Sequence, residues 1–462
     1  MVSETGNKHE IVNLISSGES EKLTDLLYNL SFDVVEDEII KIIVPLILKD
    51  DKSVRNAASN FLIQNRNLLI PELVIEHISS DNISIRNLAG EILLKKGPDS
   101  IPAISSYIVN LDNDDDIKFL VDILGLIGEK STEDLILAIL NKNQNENVIV
   151  ACIEALGNIG SEKAVKQIIP FYDQLEVLKP VVVEAIGKIE TSESLEFIVD
   201  KFNCEDDLLK FTMIESLGEI GNQDTFYFLL SKINELKGAL IWPLLEAIYK
   251  LKTRYDLEVP FDEKIKKCVL DTIINSEPKY QITAAYLVSV FDDPEILFAC
   301  LSIFGMDMEL NELLYRKFME NKEIIISRIY NAIDNSNEYV ASVLELLNNI
   351  IQDDPAVIQK LSALDKRRLT EALSNSLTNP DEVVRITAAE LLFAVDTETA
   401  LLFIDTMTAD ENFWNRIRIL DIFSEIDHSQ ITESIEKLVN DPEEMVREKA
   451  KEILLRKQFL IN

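Results

Sequence analysis

Residues 148–160 read VIVACIEALGNIG, and the same frame returns without gaps as LKPVVVEAIGKIE (178–190), LLKFTMIESLGEIG (208–221) and ALIWPLLEAIYKLK (239–252). It fits again at SVRNAASNFL (53–62), SIRNLAGEILLKKG (84–97), VVRITAAELLFAV (383–395) and MVREKAKEILL (445–455). The residue after the leading apolar one serves as a reference, the key position. It falls at Arg55, Arg86, Ile117, Ile149, Lys179, Lys210 and Ile241, and later at Arg385, Arg416 and Arg447, so copies recur about every 31 residues. A period of that length marks an array of stacked supersecondary units.

Apolar residues inside each copy follow helical spacing, not alternation. Three residues past the key position stand Ala58, Ala89, Leu120, Cys152, Val182, Met213, Leu244, Ala388, Ile419 and Ala450. Seven past it stand Leu62, Leu93, Leu124, Leu156, Ile186, Leu217, Ile248, Leu392, Phe423 and Leu454. A second amphipathic stretch precedes each copy, as in STEDLILAILNK (131–142), opening on Ser or Thr with acids in the first turn, as helix starts do. Gly128, Gly160 and Gly221 follow the second stretch, where a left-handed cap belongs. One such hairpin cannot bury its own apolar face, but stacked neighbours can.

Composition agrees with a helical array. Apolar residues make up 47% of the 462, and the 13 Gly and 13 Pro are too few to turn an all-β chain. The 81 acidic and 45 basic side chains give a formal charge of −36, a surface that repels phosphate and argues against nucleic acid or an anionic membrane as partner. Cys152, Cys204, Cys268 and Cys300 form no C-x-x-C pair, and the N-terminal residues show no signal-peptide pattern, so a cytoplasmic protein with reduced thiols is expected. The apolar run at 39–48 contains Lys41 and is too short to span a bilayer.

The frame V-R-x-x-A-x-x-x-L-G-x-I-G resembles that of bacterial short HEAT repeats, including the HEAT-like repeats of phycobilin lyases. The likeness is clear over about 40–252 and 380–455. It implies an all-α, right-handed superhelix of about a dozen hairpins, with the second helices lining a concave face. The whole chain, 1–462, is expected to form one continuous solenoid: regular at 40–252, irregular at 253–379, regular again at 380–455. Further copies are expected at Gln281, Leu310 and Val340. The copy at Leu310 places Lys317 where an apolar residue belongs. The stretch 253–264 lengthens one step, and 352–368 is expected to be an insertion carrying one extra short helix; both are candidate joints. Pairs such as Asp50 with Arg55, Asp81 with Arg86, Asp381 with Arg385 and Asp441 with Arg447 look like the family's structural ladder, with Asp capping the helix and Arg bridging the turn.

Five residues past the key position the chain carries Glu91, Asp122, Glu154, Glu184, Glu215, Glu246, Glu390, Asp421 and Glu452, with Asn60 in the first copy and Glu345 in the copy at Val340. Stacking turns such a site into a row of carboxylates. Glu is also a good solvent-facing helix former, which would explain the row without a partner. One residue past the key position are Val150, Phe211, Trp242, Ile386 and Ile417, which lie four before the acids and so share their side of the helix. They would make apolar anchors beside a charged rim, or else pack against neighbouring helices.

Three histidines, His9, His77 and His428, stand far apart and give no metal-ligand spacing. HEAT-like deoxyhypusine hydroxylases need several His-Glu pairs, and only His9-Glu10 is present. HEAT-like DNA glycosylases need a basic groove, against the charge here. No phosphate loop and no G-x-S-x-G stands in the chain. The reading is a non-enzymatic scaffold, without cofactor, that binds a protein partner with a basic or amphipathic face. A lyase of the phycobilin type is the alternative.

Overall fold

The computed structural model describes residues 4–30, 36–287, 291 and 293–461, and among them there is no β-strand. The chain divides into two compact units, Met1–Thr225 and Phe226–Asn462. Each is a stack of helix hairpins.

In the first unit the repeated frame folds as six second helices: α1 (Lys52–Gln64), α2 (Ile83–Lys96), α3 (Asp114–Ile127), α4 (Glu146–Ile159), α5 (Leu178–Ile189) and α6 (Asp207–Ile220). Consecutive members pack side by side, and shorter first helices such as Glu133–Lys142 and Ser192–Lys201 pack behind them. Asp51, Asn82, Asn113, Asn145 and Asp206 accept hydrogen bonds from N–H groups of the first turn, which the helix itself leaves unpaired. Gly128 and Gly160 close α3 and α4 in the left-handed conformation. Gly221 does not: its φ of −65° and ψ of 154° are extended. There Asn222 and Thr225 cap one another reciprocally, at 3.2 and 3.0 Å, and so start the next helix without a left-handed turn.

Burial follows the period. Leu120, Leu124, Cys152, Leu156, Val182, Ile186, Met213 and Leu217 have no accessible surface. Burying each large aliphatic side chain contributes about 1.5–3 kcal/mol, and every one needs the adjacent hairpin to cover it. From α3 to α6 the helices can approach closely because a glycine faces a small residue at each crossing. A Cβ on Gly125 would lie 2.7 Å from the Ala155 Cα, one on Gly157 2.8 Å from the Ala185 Cα, and one on Gly187 2.8 Å from the Ser216 Oγ.

The second unit holds α7 (Ile241–Tyr255), α8 (Pro278–Tyr286), α9 (Met308–Glu320), α10 (Val340–Asp353), α11 (Glu382–Val395), α12 (Phe413–Glu425) and α13 (Glu444–Ile461). Leu244, Ile248, Ala388, Leu392, Ile419, Phe423 and Ala450 are buried as the frame predicts, while Leu454 is only half-buried. The poor copy near Leu310 resolves into a shift of register. In α9 the buried residues are Leu310, Leu314 and Phe318, so the key position is Asn311 and Lys317 sits beside the core instead of in it. The stretch 253–264 holds the end of α7, a left-handed Asp256 and the cap Asp262 of the helix Glu263–Asn275. The stretch 352–368 holds the end of α10, a 3-10 turn at Pro355–Lys360 and the start of the helix Ala363–Ser376.

The arginines bridge the turn as expected, Arg55 donating to the Lys49 and Asp50 oxygens and Arg447 to those of Asp441 and Pro442, and Asp381 caps its helix; the side-chain ion pairs, however, run from one copy to the next. Arg385 donates to the backbone oxygens of Asn379 and Pro380 (2.9 and 3.0 Å), and its Nε and Nη2 reach Asp410 of the following copy at 2.8 and 3.0 Å. Arg416 grips Asp441 at 2.8 and 2.9 Å in the same way, and Arg86 reaches Asp116 at 3.1 Å. The caps at the N-terminal end are Asp51 and Asn82, not Asp50 and Asp81. Burial alone would raise the carboxyls of Asp410 and Asp441, yet the guanidinium fork and the N–H groups of Asn412 and Glu443 hold both below the usual aspartate range.

Candidate functional site: an acidic face on the second helices

The position five past the key residue repeats on one side of each second helix, and side-by-side packing aligns it from α2 to α6. Glu91, Glu154, Glu184 and Glu215 are exposed there, and Asp122 is half-buried. Asp122 is salt-bridged to Lys118 at 2.7 Å and Glu184 to Lys188 at 2.8 Å, each one turn away on its own helix. Glu154 lies between the two. Its carboxyl is raised by partial burial and then by the charges of Asp122 and Glu184, with Lys118 and Lys188 offsetting part of the effect. Three carboxylates on three consecutive helices therefore share one electrostatic environment.

Grooves run between these helices. One of about 310 Å³ is lined by Asp122, Gly125, Ala151, Glu154 and Ala155 between α3 and α4. A second, of about 460 Å³, is lined by Glu184, Gly187, Thr212, Glu215 and Glu219 between α5 and α6. Small residues line both, glycine and alanine in the first and glycine, serine and threonine in the second, and the carboxylates of the walls outnumber the one lysine in each, Lys118 and Lys188. They are open channels with negative rims, suited to a cationic side chain laid across the helices.

The second unit treats the same position differently. Glu246 is buried and holds two lysines, Lys250 at 3.1 Å and Lys279 of α8 at 2.9 Å, so it serves the packing of α7 on α8 and is not displayed. Glu390 pairs with Arg418 of the next copy. Asp421 pairs with Lys449 at 2.6 Å. In the corrected register α9 carries Arg316, a cation, at this position. The continuous negative row thus belongs to the first unit, while in the second unit most of the charge is spent on cross-links between copies.

Phe211 and Trp242 are half-buried, and Ile386 is buried. The Trp242 indole lies 6.3 Å from Tyr280 with its Nε1 buried and no acceptor among the described residues. The site one past the key position points along the seam between helices, so its apolar residues pack more than they protrude. Sequence reasoning passed over the seam glycines at 125, 157 and 187; the signal was present in the L-G step of the frame.

Among the described residues no group of His, Cys, Asp and Glu is placed to hold a metal ion, and no helix is long and apolar enough to cross a membrane. The four cysteines are free thiols; Cys152 and Cys300 are buried, Cys268 is half-buried and Cys204 is exposed.

Stacked hairpins with a shared second-helix face define the class: an all-α helical solenoid. No protein-family model matches this sequence, and no curated protein matches it. Among solved structures the chain is similar to importin beta crystallised in a polyethylene glycol condition, at 12% identity and a TM-score of 0.43, covering 96% of this chain and 74% of that one. It is also similar to a chain of a Kap95p–RanGDP structure (12%, TM-score 0.43, covering 91% and 67%) and to Kap121p (13%, TM-score 0.39, covering 94% and 54%).

Proposed function

We propose that the protein is a non-enzymatic cytoplasmic scaffold, and that the acidic second-helix face of its first unit grips a protein partner bearing a basic or amphipathic surface. The observation that carries this reading is the placement of Asp122, Glu154 and Glu184 on three consecutive helices, beside open grooves with acidic walls. Lys118 and Lys188 balance part of the row, and a cationic partner group beside Glu154 would balance the rest. The grooves beside Glu154 and Glu215 supply floors of small residues on which Lys or Arg stems can lie. Contacts made through an exposed face are screened beyond about 10 Å at 0.1 M salt, so binding should weaken steeply with ionic strength.

The test is affinity capture from native lysate at low and high salt, with the wild-type chain beside a Glu154→Gln, Glu184→Gln double variant. A protein retained by the wild type at low salt, released at high salt and lost by the variant supports the reading. An identical set of captured proteins for both chains refutes it.

A further inference from the structure

The frame leaves one periodic feature that neither the core nor the acidic face uses. Two residues before the key position, on the first turn of three consecutive second helices, stand Val383, Trp414 and Met445, spaced by 31 residues each. They are 55%, 54% and 53% exposed, although all three are large and apolar. Folding does not call for apolar residues there: the equivalent positions of α1 to α4 are Ser53, Ser84, Asp115 and Asn147, while α5 and α6 carry the exposed Val177 and Leu208, without an exposed aromatic between them. The three turns are held next to one another. Asn412 donates to the Glu382 carboxylate, Asn415 donates to the Glu382 carbonyl at 2.9 Å, and Arg416 clamps Asp441. Phe413 lies against Trp414 with the rings tilted by 34° and their centroids 4.8 Å apart, widening the middle of the patch.

The turns themselves, 379–384, 410–415 and 441–446, contain seven acids and no lysine or arginine. Arg385 and Arg416 neutralise Asp410 and Asp441, which leaves Asp381, Glu382, Glu411, Glu443 and Glu444 exposed around the apolar side chains. The result is an apolar ladder with a negative border and a step near 10 Å, the distance between packed helices.

We propose that this edge of the second unit docks a basic, extended segment of a partner protein that carries an apolar side chain at every third residue. A polyproline-type segment has three residues per turn and rises about 9 Å over them, so every third side chain meets the next rung. Lysine or arginine at the intervening positions faces the acidic border, the charge complementarity that selects this occupant. The edge is separate from the acidic second-helix face, so neither surface depends on the other.

The experiment uses the full chain and a fluorescein-labelled Leu-Pro-Arg repeat peptide of about a dozen residues, read by anisotropy. The variant Val383→Ser, Trp414→Ser, Met445→Ser installs the residue that α1 and α2 already carry at this position, so its thermal midpoint should match the wild type. Binding to the wild type should weaken with salt. It should fall about ten-fold or more in the triple variant and for a Ser-Pro-Arg peptide, and stay unchanged in Glu154→Gln, Glu184→Gln. No binding to the wild type, equal binding by the triple variant, or equal binding of the Ser-Pro-Arg peptide would overturn the proposal. So would a wild-type dimer that the triple variant converts to monomer, because the ladder would then be covered by a second copy.

Discussion

Gly187→Ala separates close helix packing from simple helix propensity. At an exposed helical site, replacing Gly by Ala stabilises by about 1 kcal/mol. At 187 the new Cβ would meet the Ser216 Oγ at 2.8 Å and its Cβ at 2.9 Å, well inside ordinary contact, while the Ser216 Cα stands at 3.7 Å. The hydroxyl can rotate away but the Cβ cannot, so α5 and α6 must separate by roughly half an ångström or more. Overpacking of this kind costs about 1–3 kcal/mol. The net change is a destabilisation of about 1 kcal/mol, opposite in sign to the propensity effect. Adding Ser216→Gly removes both close atoms and leaves only the 3.7 Å contact, so the double variant should recover most of the loss beyond the intrinsic cost of a second glycine. Gly157→Ala provides the contrast. Its clash is with the Ala185 Cα at 2.8 Å and carbonyl at 3.2 Å, which Ala185→Gly leaves in place, so rescue there should be partial. Urea unfolding followed by circular dichroism gives the midpoints, and amide hydrogen exchange in α5 and α6 shows whether the loss is local. A stabilising Gly187→Ala, or no coupling between 187 and 216, would refute the close-packed seam.

Three further outcomes follow from the same geometry. The Arg416–Asp441 pair holds the Asp441 carboxyl below its ordinary value of 3.8, so its contribution is complete above that pH and is lost as pH falls through the lower folded value; acid unfolding of Asp441→Asn should lack that part of the transition, and Asp441→Ala at neutral pH should cost about 3–5 kcal/mol by leaving Arg416 unpaired. Glu154 is raised above 4.5, so its ionised form is the disfavoured one: wild-type stability should fall as pH rises through that window, and Glu154→Gln should gain a few tenths of a kcal/mol at pH 7, less in high salt and nothing in acid. The Trp242 indole N–H is buried without an acceptor among the described residues, so Trp242→Phe should stay within about 1 kcal/mol of wild type in thermal melts while Trp242→Ala loses about 2 or more.

The angular position of a residue on its own helix is a local property, and so it was legible early. The 31-residue frame identified Leu120, Leu124, Leu156 and Phe423 as core, Glu154 and Glu184 as solvent-facing, and the left-handed caps at Gly128 and Gly160. A helix's spacing carries this information because 3.6 residues per turn leaves little freedom in which side chains share a face. What lies across from that face is set by the distance and rotation of another helix, and no local pattern encodes those. Only the packed structure turned α9 by one residue so that Phe318 replaced Lys317 in the core, and only there did Lys279 arrive to bury Glu246. It likewise passed the arginine ladder from each copy to the next and left Val383, Trp414 and Met445 uncovered. A repeat predicts its own interior, but its partners are chosen by the neighbours against which it comes to rest.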